Sequence, residues 1–138
     1  MKKAILCVDD EQVILTSLKK QLKKRLANDY VYETAESAEE GLEILDELDE
    51  DQIDVLIIVS DWLMPDMKGD EFLIEAHQKF PKITKIFLSG QIEEEAVQRA
   101  TEQADLKAVL HKPWDEDELV NIIEKAIGIE PVGEAVEE

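Results

Sequence analysis

Five short apolar runs alternate with five stretches of helical periodicity along this 138-residue chain, and this alternation constrains the fold more than any other feature. The predicted strands are residues 4–8, 30–35, 53–60, 83–88 and 106–110. After each strand, apolar residues recur at the spacing of an amphipathic helix. Strands that alternate with helices in this way form parallel sheets with right-handed crossovers, so we predict an α/β fold.

The most continuously apolar run, residues 53–60, is typical of a central parallel strand that is covered on both faces. We therefore expect a doubly wound five-stranded parallel sheet with helices on both faces, and the flavodoxin-like strand order 2-1-3-4-5 is the leading arrangement. Ser37 and Asp115 each precede a glutamate by three residues, which indicates a capped helix start. The fourth helical stretch relies on Ala96 and Ala100, so we expect it to pack shallowly.

The chain is strongly acidic, with 34 acidic and 15 basic residues and a net charge of −19. Binding to nucleic-acid backbones or to anionic membrane surfaces needs clustered lysine and arginine, so this composition argues against both kinds of partner. No apolar run approaches the length of a membrane span. The single cysteine, Cys7, excludes an internal disulfide framework and fits a reducing compartment. We expect a cytoplasmic protein.

The length of the chain fits one domain with a single sizeable core. We predict that this domain spans residues 1–128. Residues 129–138 are acidic, contain Pro131 and Gly133 and lack periodicity, so we interpret them as a frayed tail or the start of a linker.

Polar side chains follow four of the five predicted strands at the point where each strand ends. Asp9 and Asp10 follow the first strand, Asp61 the third, Ser89 the fourth and Lys112 the fifth. The carboxyl ends of parallel strands lie along one edge of the sheet, where ligands of α/β proteins bind. In the order 2-1-3-4-5 the first and third strands are neighbours, so we expect these five side chains to converge.

The chemistry of this set is that of phosphoryl transfer. Three adjacent carboxylates raise one another's pKa unless a cation is present, and magnesium prefers such oxygen ligands. The ammonium of Lys112 and the hydroxyl of Ser89 suit phosphate oxygens. Asp61 would then act as a nucleophile and form an acyl phosphate, since phosphoryl transfer requires little beyond positioning and charge neutralisation.

Four motifs resemble the receiver domain of two-component response regulators (CheY-like), and the resemblance runs from about Lys3 to Gly128. The motifs are Val8-Asp9-Asp10-Glu11, Ser60-Asp61-Trp62-Leu63-Met64-Pro65-Asp66-Met67-Lys68-Gly69, Leu88-Ser89-Gly90 and Lys112-Pro113-Trp114. Each motif is weak by itself, but the order and spacing of all four are specific.

The resemblance implies that Asp61 is the phosphoacceptor. It implies that Mg²⁺ is held by Asp10, Asp61 and the backbone carbonyl of Leu63, and that Asp9 contributes through water.

The resemblance also assigns roles around the phosphate. Ser89 would be the switch hydroxyl, Gly90 would leave room for the phosphoryl group, and Lys112 would pair with the phosphate. Pro113 would follow a cis peptide bond that aims Lys112 inward.

The implied function is a phosphorylation-controlled signalling switch. A histidine kinase or phosphotransfer protein would supply the phosphoryl group, and an output domain or target protein would respond. The chain would not be an enzyme in the ordinary sense, although it would catalyse its own phosphorylation and dephosphorylation. The face formed by the fourth helix, fifth strand and fifth helix is the family's usual surface for homodimers or partners.

Two positions depart from the pattern of the family. Receivers usually carry an aromatic residue three positions before the lysine, and here that switch position is Val109. In relatives that hydrolyse the acyl phosphate quickly, the residue two positions after the acceptor has a polar side chain. Here that position is Leu63, so we expect slow loss of phosphate.

Two other functions use related folds. A metal-dependent phosphatase of the haloacid dehalogenase type also has an aspartate nucleophile, but it needs a second aspartate at the position of Leu63 and usually a cap domain. A flavodoxin-like cofactor binder needs a phosphate-binding loop after the first strand, where this chain has acids.

Overall fold

The structure is a computed structural model that describes residues 2–26 and 30–128. Five strands and five helices alternate along it: β1 (Lys3–Val8), α1 (Gln12–Arg25), β2 (Tyr30–Ala35), α2 (Ala38–Glu50), β3 (Asp54–Ser60), α3 (Gly69–Lys79), β4 (Thr84–Ser89), α4 (Glu94–Ala104), β5 (Leu106–His111) and α5 (Glu116–Ala126). The predicted strands are confirmed, with ends that move by one residue at most. The predicted tail, residues 129–138, lies outside the described residues.

The sheet has the order β2-β1-β3-β4-β5, and all neighbouring strands are parallel. The expected doubly wound arrangement is therefore confirmed. β3 is the central strand, and alternate side chains along it point to opposite faces of the sheet. Ile58 faces one apolar core, whereas Ile57 and Val59 face the other.

Each face of the sheet is covered by its own helices. The first core packs α2, α3 and α4 against the sheet, and the second packs α1 and α5 against the other face. Phe72 and Phe87 are fully buried in the first core. Among the described residues, no helix has the length and apolarity that crossing a membrane requires.

The fourth helix packs more closely than the sequence suggests. Ala96, Ala100 and Ala104 lie on one face of α4, and all three are fully buried. The expectation of shallow packing was wrong, because small side chains allow a helix to approach its neighbours closely. α4 lies against α3 and β5.

The predicted helix caps are present. The hydroxyl of Ser37 accepts a hydrogen bond from the backbone N–H of Glu40, and the Asp115 carboxylate accepts one from Glu118. The side chain of Glu40 bonds the N–H of Glu36, one residue before the position that a capping box uses. Both caps fix where a helix leaves the edge that carries the candidate site.

Candidate functional site

Three carboxylates meet at the carboxyl ends of β1 and β3. Asp9, Asp10 and Asp61 each offer an oxygen, and these atoms lie within 4.8 Å of one another. Asp9 and Asp61 are buried because sheet hydrogen bonding continues to them: Asp9 N donates to Ala35 O at 3.0 Å and Asp61 N donates to Val8 O at 2.9 Å. Asp10, one residue further along the loop, is exposed.

Lys112 brings a single ammonium group into this cluster. Its Nζ lies 2.7 Å from Asp9 Oδ2, 3.6 Å from Asp61 Oδ2 and 3.6 Å from Glu11 Oε1. The backbone N–H of Lys112 donates to the carbonyl of Ser89 at 3.1 Å, and the peptide bond from Lys112 to Pro113 is cis. The fifth strand therefore delivers its lysine to the acids that the first and third strands supply.

The single positive charge of Lys112 does not offset the negative charges of these acids. Burial raises the pKa of Asp61, the neighbouring charge of Asp9 raises it further, and the opposing effects of Lys112 and of the Trp62 N–H do not cancel the rise. Burial also raises the pKa of Asp9 despite its hydrogen bond to Lys112. For Lys112 itself, burial acts to lower the pKa, but its bond to Asp9 and the charges of Asp61 and Asp9 raise it overall.

The donor set fits a hard divalent cation. Burial raises the pKa values of Asp9 and Asp61, the charges of neighbouring acids add to the rise, and a bound cation would favour the charged form of both carboxylates. Carboxylate oxygens are the ligands that Mg²⁺ selects, and the exposed Asp10 leaves a side open to solvent, as suits an ion that keeps several waters. The three acids therefore form an acidic pocket of the kind that could hold such an ion.

Ser89 lies at the carboxyl end of β4 with its hydroxyl engaged locally. Its Oγ donates to Gln91 O at 3.1 Å and accepts from Gln91 N at 3.3 Å, and the residue is buried. A methyl group on Gly90 would approach Lys112 Cβ no closer than 3.7 Å, an ordinary contact. The fold thus brings Ser89 and Gly90 to the same edge as Lys112.

The loop after β3 depends on a close approach at Gly69. A Cβ atom there would collide with the carbonyl oxygen of Asp61 and would lie 2.7 Å from Trp62 Cα. Gly69 N donates to Trp62 O at 2.6 Å, which closes the loop. Leu63 projects outward and is 53% exposed. The lack of a side chain at position 69 therefore sets the shape of the segment that follows Asp61.

The position that is usually aromatic, Val109, is half-buried. It lies on β5 beside Phe87 of β4 and packs against the first core, the one that contains the alanines of α4. A valine has neither the reach nor the hydroxyl of a tyrosine, so it offers no large side chain to move between an inward and an outward position.

Two residues that stand within the four motifs were assigned no role from the sequence. Glu11 places its carboxylate near Lys112, and its N–H bonds Asp9 Oδ1 at 2.8 Å. Asp66 accepts from the N–H groups of Ala38 and Glu39 at 3.2 and 2.9 Å, so the loop after Asp61 caps α2. The place of Glu11 directly after the acid pair was a usable signal, whereas nothing local pairs Asp66 with a helix 28 residues away.

The fold and the acidic site define a receiver domain. Residues 5–124 match the family model described as the response regulator receiver domain, so the chain belongs to that family. The resemblance stated from the four motifs is confirmed. Receiver domains are signalling domains rather than enzymes of the ordinary kind, and they bind Mg²⁺ at an acidic pocket such as the cluster found here.

Two curated relatives match the chain over 123 residues, which is 89% of its length. The hydrogenase transcriptional regulatory protein HoxA of Cupriavidus necator is 29% identical, and the chain covers 24% of it. The sensor kinase CckA of Brucella abortus is 31% identical, and the chain covers 12% of it. The chain therefore spans a quarter or less of the length of these relatives.

Solved structures agree with the family. The signal receiver domain of an HD domain-containing protein from Pseudomonas fluorescens Pf-5 matches with a TM-score of 0.82 and 28% identity, over 93% of this chain and 96% of that one. The beryllofluoride-activated NtrC4 receiver domain dimer matches with a TM-score of 0.76 and 25% identity, over 91% and 96%. The alternative of a haloacid dehalogenase-type phosphatase has no support from these comparisons, and position 63, where it needs an acid, is leucine.

Proposed function

We propose that this receiver domain accepts a phosphoryl group on Asp61 from a histidine kinase or a phosphotransfer protein. The observation that carries the proposal is the grouping of a buried carboxylate with two further acids within 4.8 Å and a lysine ammonium 3.6 Å from its Oδ2. A nucleophile, a cation site and a phosphate partner are the parts that phosphoryl transfer requires. The lone buried Cys7 fits the expected cytoplasmic setting.

In the proposed reaction a carboxylate oxygen of Asp61 forms a bond to the phosphorus of a phosphohistidine. The phosphorus–nitrogen bond breaks, its electron pair stays on the imidazole nitrogen, and that nitrogen takes up a proton from solvent. The product is an acyl phosphate on Asp61. Lys112, which contacts Asp9 more closely than Asp61 in this structure, is available to pair with a phosphate oxygen.

Asp10 and Asp61, with the backbone carbonyl of Leu63, would hold Mg²⁺ directly, and Asp9 would assist through water. When bound, the ion supplies positive charge that offsets the charge of the phosphoryl oxygens. Asp61 keeps its orientation through the Trp62 N–H, which donates to Oδ1 at 2.9 Å. The same groups would also support hydrolysis of the acyl phosphate, so the domain would catalyse both its own phosphorylation and its own dephosphorylation.

The test uses Mg²⁺ and acetyl phosphate, a small-molecule donor, followed by intact mass measurement. We expect the chain to gain the mass of one phosphoryl group in the presence of Mg²⁺, and Asp61→Asn to gain none. Asp54→Asn, the same change at an exposed aspartate, serves as the matched control and should be phosphorylated normally. A gain of mass that survives Asp61→Asn would contradict the assignment of the acceptor.

Phosphorylation would control an output domain or a target protein through the face formed by α4, β5 and α5. β5 is an edge strand, so this face has an open side. The similarity to a receiver solved as an activated dimer supports homodimerisation, and we place the dimer contact on this face because of its open side. Light scattering with and without beryllofluoride, a phosphate mimic, tests this; a mass that stays monomeric in both states would contradict it.

A further inference from the structure

One fully buried carboxylate lies outside the acidic cluster, in the first turn of α3. The Asp70 side chain is 1% exposed and binds two other elements. Trp62, in the loop after β3, donates its indole N–H to Asp70 Oδ1 at 3.0 Å. Arg99, in the middle of α4, donates from Nε to Asp70 Oδ2 at 2.8 Å and from Nη2 to the same oxygen.

Trp62 also connects this group of contacts, which we call the path, to the proposed phosphoacceptor Asp61. The backbone N–H of Trp62 donates to Asp61 Oδ1, while its indole N–H bonds Asp70. The Trp62 side chain is 5% exposed, and Lys68 Nζ lies 5.2 Å from the ring centroid. Contacts therefore fix both the backbone and the ring of Trp62. An uninterrupted series of hydrogen bonds runs from Asp61 through Trp62 and Asp70 to Arg99.

The ion pair in this path is costly to break. A carboxylate that is almost completely buried needs a charged partner, since a stranded buried charge is strongly destabilising. Asp70 obtains its partner from α4, because Arg99 reaches it with two N–H groups although the Arg99 side chain as a whole is half-exposed. If α4 shifts relative to α3, either Asp70 must therefore move with Arg99 or the ion pair between them must break.

We propose that Trp62, Asp70 and Arg99 couple the state of Asp61 to the position of α4. This inference rests on the proposed function, because it assumes that Asp61 changes its charge and contacts on phosphorylation. A chemical change at Asp61 Oδ1 acts on the Trp62 N–H, then through the indole on Asp70, and then on the guanidinium of Arg99. These three are positioning residues, since none of them touches the phosphoryl group.

The path through Asp70 matters because Val109 stands where receivers usually carry an aromatic switch residue. The family's usual aromatic side chain on β5 is absent, and Val109 is half-buried against the core that α4 closes. The Asp61 side chain also contacts Lys112, which directly follows β5. The connection that reaches α4 runs through Asp70.

The test measures hydrogen exchange in α4 with and without Mg²⁺ and beryllofluoride, alongside phosphorylation by acetyl phosphate read as intact mass. In the unaltered chain we expect the ligands to change the exchange rate of α4 by at least about fivefold, the lower range of allosteric coupling. Arg99→Ala should still gain the phosphoryl mass, while the response of α4 falls below about twofold.

Two further variants separate coupling from folding. Arg25→Ala removes another partly exposed arginine with two acidic partners, Glu116 and Asp117, and should leave the α4 response unchanged. The double variant Asp70→Asn/Arg99→Ala leaves no stranded charge and keeps an acceptor for the Trp62 indole, so it should fold and still lack the α4 response. If Asp70 and Arg99 only stabilised the fold, these variants would lower the melting temperature but would keep the ligand-induced change in α4 exchange.

The outcomes distinguish the inference from the proposed function. An α4 response that persists in Arg99→Ala and in the double variant overturns the coupling path. An unaltered chain that gains mass but shows no change in α4 exchange overturns it as well. An unaltered chain that gains no mass overturns the proposed function, and the inference falls with it.

Discussion

Asp61 is held as a charged group in surroundings that disfavour its charge. Burial and the charge of Asp9 raise its pKa, and Lys112 offsets this only in part. A carboxyl group whose pKa is higher in the folded state than in the unfolded state destabilises the fold above the folded pKa. That destabilisation fades as the pH falls through the folded pKa, and it is absent below the unfolded pKa.

Removing this charge should therefore stabilise the protein when no divalent cation is present. We expect Asp61→Asn to raise the free energy of unfolding at pH 7 by on the order of 1 kcal/mol, a common size for a single substitution. The gain should shrink as the pH approaches the ordinary pKa of an aspartate. Urea unfolding with a chelator at several pH values measures it, with Asp54→Asn as control. A destabilised Asp61→Asn at pH 7 would disprove this account of the site.

Leu63 and Val13 are the large apolar side chains with the greatest exposure among the described residues, at 53% and 72%. Leu63 lies two residues after the proposed acceptor and cannot form a hydrogen bond to an attacking water. We expect Leu63→Asn to speed phosphate loss by about tenfold, which corresponds to roughly 1.4 kcal/mol in the transition state.

The lifetime of the phosphorylated form, followed by intact mass after the donor is removed, measures this effect. Val13→Asn makes the same change at an exposed position on α1 and should leave the lifetime unaltered. Equal lifetimes for Leu63→Asn and the unaltered chain would show that residue 63 does not limit hydrolysis.

At the scale of elements, the end of α2 carries a residue in an unfavourable conformation. Gln52 has φ 59°, in the left-handed region, and it is exposed. The N–H of Ile53 bonds Leu48 O at 2.8 Å and that of Gln52 bonds Asp49 O at 3.0 Å, which is a Schellman motif. Glycine is the usual residue at this point because it has no Cβ to clash.

Gln52→Gly should therefore stabilise the protein by roughly 1 kcal/mol, the lower end of the cost of a left-handed residue. Gln103→Gly, the same change inside α4, should instead destabilise it by roughly 0.5–1 kcal/mol. Thermal or urea unfolding of both variants checks the opposite signs. If both changes destabilise, the left-handed conformation of Gln52 does not persist in solution.

The start of α2 depends on the loop that follows Asp61. Asp66 accepts from two N–H groups at this helix terminus, and although partial burial acts to raise its pKa, these bonds lower it overall. Asp66→Ala should cost about 1 kcal/mol, the usual effect of losing a helix cap. Since the pKa is lowered, the stabilisation is complete above the ordinary pKa of an aspartate and is lost as the pH falls through the folded value.

Comparing unfolding of Asp66→Ala and the unaltered chain from neutral pH down to acidic pH tests this dependence. The two stabilities should converge in acid. A difference that stays constant with pH would mean that Asp66 acts by packing rather than as a charged cap.

The elements differ in how far the sequence predicts them. Strands and their order followed from apolar runs, and the Ser37 cap followed from local spacing, because both depend on neighbours in the chain. The Asp66 cap and the contact of Asp70 with Arg99 join residues 28 and 29 positions apart, so local patterns do not predict them. The tight packing of α4 was missed because alanine gives a weak apolar signal although it packs closely.

The candidate site was more predictable than those contacts because topology brings it together. Once the strand order is 2-1-3-4-5, the residues that follow β1, β3, β4 and β5 must share one edge. Distances within that edge were not predictable. Lys112 lies nearer to Asp9 than to Asp61, because the rotamer of a long side chain depends on the charges around it.

At the scale of the whole molecule, charge repulsion opposes folding. The net charge is −19, and a large charge of one sign destabilises a compact state through self-repulsion. Dissolved salt screens this repulsion over the whole surface. Mg²⁺ should do so too, but it should also bind the acidic cluster, where two buried carboxyl groups have raised pKa values.

Magnesium chloride should therefore stabilise the protein more than sodium chloride at equal ionic strength. A ligand at ten times its dissociation constant adds about 1.4 kcal/mol to the free energy of unfolding. For a domain of this size that is a rise of about 5 °C in melting temperature. The extra stabilisation should decline as the pH falls through the raised pKa values, because protons then compete with the metal for the carboxylates.

Asp10→Asn is the variant that isolates the bound ion. Asp10 is exposed, so its replacement removes a candidate metal ligand without leaving a buried group unpaired. This variant should keep the stabilisation by sodium chloride and lose the excess that magnesium chloride gives. Differential scanning calorimetry in the two salts measures both parts. If the two salts give the same melting temperatures in the unaltered chain, screening accounts for the whole effect and the acidic cluster does not bind the metal.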